Sequence, residues 1–98
     1  MYGLIGKMKA QPGKRDELAS LMESGMPEMD GCVSYVIAAC NDDADGIWIT
    51  EVWDSKEAHM ASLSIPAVGE LISKARPLIA GFDHRFETTP IGGIGIQS

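Results

Sequence analysis

Residues Ile47–Leu63 read IWITEVWDSKEAHMASL, and the run changes its period partway along. Ile47–Asp54 alternates like a strand, with Ile47, Ile49, Glu51 and Trp53 on one face and Trp48, Thr50 and Val52 on the other. Asp54-Ser55-Lys56-Glu57 then has the form of a capping box, Asp54 as N-cap and Glu57 three residues on. It opens a short helix over Ser55–Leu63 that carries His59. A strand with aromatic bulk on both faces, running straight into a helix with a histidine, predicts one wall of a small-molecule pocket. The plainer reading is a core strand followed by a surface helix.

Upstream, Tyr2–Ala10 alternates and predicts a strand that Gln11-Pro12-Gly13 breaks. Lys14–Met29 takes up a helical period through Leu18, Leu21, Met22, Gly25, Met26 and Met29, with Pro27 expected to end or kink it near its last turn. Its methionines suit a core and also a cavity wall. Asp30-Gly31 marks a turn, and Cys32–Cys40 reads as a second strand with Tyr35 as a pocket hydroxyl or a strand aromatic. Asn41–Gly46 is a polar hairpin connection. Asn41, Asp43, Asp45 and Gly46 imitate the first half of a calcium loop, but Val52 falls where the loop needs its closing acid.

Downstream, Ser64-Ile65-Pro66 reads as a fresh N-cap and early-turn proline, starting a helix striped by Val68, Leu71, Ile72 and Ala75. The stripe runs on to Leu78 or Ile79, with Pro77 interrupting and Gly81 ending it. Phe82–Thr88 alternates as a fourth strand, Phe82, His84, Phe86 and Thr88 against Asp83, Arg85 and Glu87. Residues 90–98 form an apolar, glycine-rich tail expected to be partly ordered, over a neighbouring subunit or a pocket mouth.

Strand, helix, strand, strand, helices, strand is the β-α-β-β-α-β order of a ferredoxin-like α+β fold: a four-stranded antiparallel sheet with helices on one face. The 98 residues make one domain. Ile5, Val33, Ile37 and one of Trp48 and Trp53 exceed what two helices can hide, so a second copy is expected on the other face, as a homodimer. A net charge of −6 argues against nucleic acid or an anionic membrane as partner. No apolar run approaches the roughly 20 residues of a membrane span. The opening MYGLIGKMKA lacks a signal-peptide layout. Cys32 and Cys40, eight apart on one strand, stand about 26 Å from each other and cannot pair. Free thiols fit a cytoplasmic location. Two histidines without clustered acids give no metal site.

The layout resembles the dimeric α+β barrel superfamily, and Thr50–His59, TEVWDSKEAH, is similar to the signature of the antibiotic biosynthesis monooxygenase family. Pro12-Gly13-Lys14 and Met29–Tyr35, MDGCVSY, add to the resemblance, with Asp30 where relatives carry proline. The resemblance implies a pocket between sheet and helices and, in some relatives, oxidation of polycyclic phenols or quinols by O2 without a cofactor. Many relatives carry a histidine at the position of Ser62; here His59 lies three residues earlier, on the same side of the helix. The haem-degrading branch resembles a pattern of Asn, Trp and His where this chain has Lys7, Ser62 and Ile72, which argues against haem.

Oxidising an electron-rich phenol with O2 needs a base and a dry pocket. His59 is the candidate base, since histidine titrates near working pH. Glu51 would orient a donor or share its proton. Trp48, Trp53, Tyr35 and Ser62 are the candidate substrate contacts, and His84 reads as a strand surface residue. The substrate class expected is a small aromatic quinol or phenol, with O2 as co-substrate. A non-catalytic small-molecule-binding or regulatory module, or another small enzyme such as an isomerase, would use the same fold.

Overall fold

The computed structural model describes residues 1–96. Its strands are β1 (Tyr2–Ala10), β2 (Cys32–Ala39), β3 (Gly46–Trp53) and β4 (Ile79–Thr88), and its helices α1 (Arg15–Gly25), α2 (Lys56–Ser62) and α3 (Pro66–Ala75). The four strands form one antiparallel sheet in the order β2-β3-β1-β4, the expected ferredoxin-like α+β arrangement. All alternate residues of β1 from Leu4 to Ala10 except Gly6 are buried beneath the helices together with Ile47, Ile49 and Trp53. Leu18 and Met22 of α1 and Ala75 of α3 close this core from above. Leu18, Ile47 and Trp53 are fully sequestered. Burying an aliphatic side chain of that size contributes about 1.5–3 kcal/mol.

The other face stays open. It carries Ile5, Val36, Trp48 and Phe86, with Val36 51% and Phe86 54% exposed. Ile37 and Trp53 belong instead to the helix side, because register sets Ile37 opposite Ile49 and Trp53 opposite Tyr2. Pro90 folds against Gly3 on the open side, and the tail then makes a turn closed by Ile96 N–H donating to the Gly93 carbonyl at 3.4 Å. Ile91 and Ile94 on this tail are fully exposed, and its final residues 97–98 lie outside the described residues.

Several boundaries differ from the sequence reading. Helix α1 stops at Gly25 because Met26, preceding Pro27, is extended (φ −74°, ψ 120°), as a residue before proline prefers. The cap of α2 is Ser55, whose hydroxyl accepts the Ala58 N–H at 3.1 Å; Asp54 does not serve. Helix α3 begins at Pro66 without a side-chain cap, so Ser64 is not its N-cap. Pro77 cannot donate to a helix ladder, and Arg76–Leu78 tightens to a 3-10 turn that releases Ile79 into β4. Gly81 is therefore a strand residue. A bulge at Asp83 sets both Asp83 and His84 beside Lys7 and moves Phe82 opposite Met8, on the helix side. Simple alternation had placed Phe82 with His84; an inserted residue resets the parity.

Gly31 has φ +82°, and a Cβ there would come 2.7 Å from the Ala58 side chain. The glycine of the Met29–Tyr35 motif thus lets α2 sit directly on the turn, with Asp54 N–H donating to the Gly31 carbonyl at 2.8 Å.

Candidate functional site

Between the sheet and the helices lies a cavity of about 600 Å³. Its wall is mostly aliphatic and thioether, with Met22, Met26 and Met29 from α1 and its exit, and Val68, Leu71 and Ile72 from α3. Its floor is the sheet, where Gly6 leaves bare backbone at mid-strand; a Cβ there would meet only the His84 carbonyl, at 3.7 Å. The methionines, expected chiefly as core, also line the cavity, and Met22 belongs to both.

A group of the predicted polar and aromatic residues meets at one end, while Arg76 and Arg85 line the wall elsewhere. Glu51, Trp53, His59, Tyr35 and Ser62 all line the cavity, five of the six residues singled out in the sequence. Register explains the meeting: Tyr35 on β2 is opposite Glu51 on β3, and Trp53 follows on the same face. Trp53 turns its indole N–H back onto the Glu51 carboxylate, Nε1 to Oε1 at 2.9 Å. His59 hangs from α2 with Nε2 at 3.8 Å from the same oxygen. Its Nδ1 is buried without a hydrogen-bond partner, so the Nε2 edge is the one turned to the acid. Burial holds the Tyr35 phenol well above its ordinary pKa, with the nearby Glu51 carboxylate adding to the effect, so it stays a neutral O–H donor. The Ser62 hydroxyl donates to the His59 carbonyl at 2.6 Å, one turn back along α2.

Two aromatic rings fix the imidazole. Trp53 meets it edge-on at 5.4 Å between centroids and 71°, and Tyr2 lies 5.7 Å away on another side. Tyr2 is the neighbour that sequence reading missed. Its alternation put it on the face of Leu4 and Met8, but only the pairing of Tyr2 with Trp53 brings it to His59. Its hydroxyl donates to Glu87 at 2.7 Å, and that hydrogen bond holds the phenol pKa up and the Glu87 carboxyl pKa down.

Trp48 does not join the site. It has the opposite parity to Glu51 and Trp53, lies on the open face, and stacks on His84 at 6.0 Å with only 6° between the planes. It is absent from the cavity wall, which corrects its assignment as a substrate contact within one chain. His84 is exposed, as expected, and stacks on Phe86 as well. The hairpin acids are engaged in ion pairs and turns: Asp43 binds Lys7 and Lys9, and Asp45 accepts the Gly13 N–H. Among the described residues no three His, Cys, Asp or Glu side chains converge as metal ligands would, and both cysteines are free thiols. No helix among them is long and apolar enough to cross a membrane.

Residues 1–74 match the family described as antibiotic biosynthesis monooxygenase, and the chain belongs to that family. Its fold is close to that of a candidate antibiotic biosynthesis monooxygenase from Chloroflexus aurantiacus J-10-fl, 56% identical, covering 98% of each chain with a TM-score of 0.93. A second candidate monooxygenase, from Deinococcus radiodurans, shares the fold at 22% identity, full coverage of both chains and a TM-score of 0.77. Rv0793 from Mycobacterium tuberculosis does so at 18% identity, covering 95% of this chain and 97% of its own, with a TM-score of 0.76. No protein of curated function matches the chain.

Proposed function

We propose that the protein is a cofactor-independent monooxygenase that oxidises a small aromatic phenol or quinol with O2. The observation that carries this reading is His59, 9% exposed, beside Glu51 at one end of a mostly apolar cavity. His59 is the base, taking the phenolic proton at Nε2. Glu51 then faces an imidazolium at 3.8 Å and stabilises it. Trp53 keeps the Glu51 carboxylate aimed, and the neutral Tyr35 hydroxyl donates to the substrate oxygen. The resulting phenolate is electron-rich enough to reduce O2 directly, so the substrate itself supplies the electrons. For an anthrone-type CH2, one oxygen atom becomes the new carbonyl. The other leaves as water with the two hydrogens of that carbon. The apolar walls hold the ring and O2 together and exclude bulk water.

The working form in this reading is a cytoplasmic homodimer, the second copy covering Trp48, Val36 and Phe86 and receiving the exposed tail isoleucines. A binding module is the second reading, favoured by the mostly aliphatic and thioether wall of the cavity.

The test is oxygen uptake by metal-stripped protein over a panel of quinols and anthrones. Saturable uptake that falls at least tenfold in His59→Ala, and by less than twofold in His84→Ala, is the expected result. Uptake indifferent to His59→Ala removes the assigned base. No uptake on any member of the panel moves the protein to the binding reading.

A further inference from the structure

The chain has eight lysines and arginines. Among the described residues Lys7, Lys9, Lys14, Arg15 and Lys56 each have a carboxylate within 4 Å. Lys74, Arg76 and Arg85 have none, and two of those three, Arg76 and Arg85, line the cavity. In a protein of net charge −6 this leaves two cations without an ion pair on the cavity wall.

Their position is opposite the base. Arg85 on β4 is paired with Gly6, and Gly6 with Ile49; Glu51 is paired with Leu4. Arg85 is thus two strands across and two residues along from Glu51, about 12 Å between Cα positions. Arg76 sits where α3 passes into β4, at the Ala10 end of the sheet, further still from Glu51. Between the two ends lie the Gly6 floor and the methionine wall, space for a flat apolar body. On β4, Glu87 is held by Tyr2 and Lys56 and Asp83 by Lys7; neither is within 4 Å of Arg85, which acts on Glu87 only through space. Both guanidiniums are exposed, so they keep their hydration until a ligand anion replaces it. A planar guanidinium suits a carboxylate in two-point contact.

We propose that Arg76 and Arg85 form an anion-recognising end of the cavity, selecting an aromatic phenol or quinol that carries a carboxylate on the side of its ring system remote from the reacting hydroxyl. This rests on the oxygenase reading for which end reacts, and on the arginines alone for which end binds the anion.

The experiment is calorimetric titration of the intact protein with 6-hydroxy-2-naphthoate and with 2-naphthol, at low and at moderate salt. The carboxylate is expected to bind at least tenfold more tightly, and its advantage to shrink with salt. The double variant Arg76→Gln, Arg85→Gln should bind the two compounds alike, with the affinity for 2-naphthol within twofold of the parent and an unchanged circular dichroism spectrum. Equal affinity in the parent, a preference that survives in the double variant, or binding of neither compound overturns the proposal. His59→Ala separates this from the reaction: there the carboxylate preference persists whatever happens to oxygen uptake. A protein that consumes no O2 but keeps an arginine-dependent preference would lose the oxygenase reading and retain the anion site.

Discussion

Strand β3 sends one tryptophan to each side of the sheet, and each meets a histidine. On the helix side Trp53 is 1% exposed, donates to Glu51, and packs edge-on against a buried His59. On the open side Trp48 lies flat on an exposed His84, which lies nearly flat on Phe86. The residue types are the same and the circumstances are not. Around His59 there is an acid within 4 Å and the mostly apolar wall of the cavity. Around His84 there is a row of aromatic faces and solvent. Position on the sheet, more than the pairing of Trp with His, separates the proposed site from the open face.

The contrast can be broken first by truncating the tryptophans. Trp53→Ala should cost about 3–5 kcal/mol, read by urea denaturation, because it empties a fully buried position. Trp48→Ala should cost about 1 kcal/mol in a dilute, monomeric sample, while raising the dissociation constant of the proposed dimer at least tenfold by analytical ultracentrifugation. Equal costs in two monomeric variants would abolish the distinction between the faces. A smaller effect sharpens the helix side: Ser55→Ala removes the α2 cap, which should cost about 1 kcal/mol and lower oxygen uptake by loosening the turn that holds His59. Its control is rescue by Ser55→Asp.

The smallest effect belongs to the open side. The Asp43 carboxyl is held down to about 2, first by the Asp45 N–H and then by Lys7 and Lys9, and Lys7 lies under the Trp48–His84 stack. A lowered folded-state pKa contributes stability above the ordinary value of 3.8 that is lost as pH falls through about 2. Asp43→Asn should therefore lower Tm at neutral pH, and the gap from the parent should close as pH is taken from about 4 toward about 2. A gap that stays constant over that range would mean that Asp43 acts through packing alone.

Sequence reading reached the strands and helices because their periods are written locally. Tyr2–Ala10 emerges with the expected limits, and Glu51 and Trp53 share a strand face by their spacing. It missed what depends on register or on competition between neighbouring caps. The Asp83 bulge that separates Phe82 from His84 cannot be seen in the alternation of β4 alone. Asp54 and Ser55 are both competent N-caps, and the choice fell to Ser55 because the Asp54 backbone is already tied to Gly31 across the turn. Tyr2 reaches His59 from the far end of the chain's first strand, a long-range contact with no local mark. Arg76 and Arg85 are nine positions apart, and only the cavity shows that they share a lining.

Gly6 gives the cavity a property that its volume does not convey. Where the other strand positions would raise a side chain, the floor there is the peptide plane itself. Such a floor works as a thickness gauge. In the proposed pocket a flat, fully conjugated ring would lie closer to such a floor than a puckered or bulky one. A single added carbon, as in Gly6→Ala, would raise the floor and narrow the range of ring systems that the proposed pocket admits.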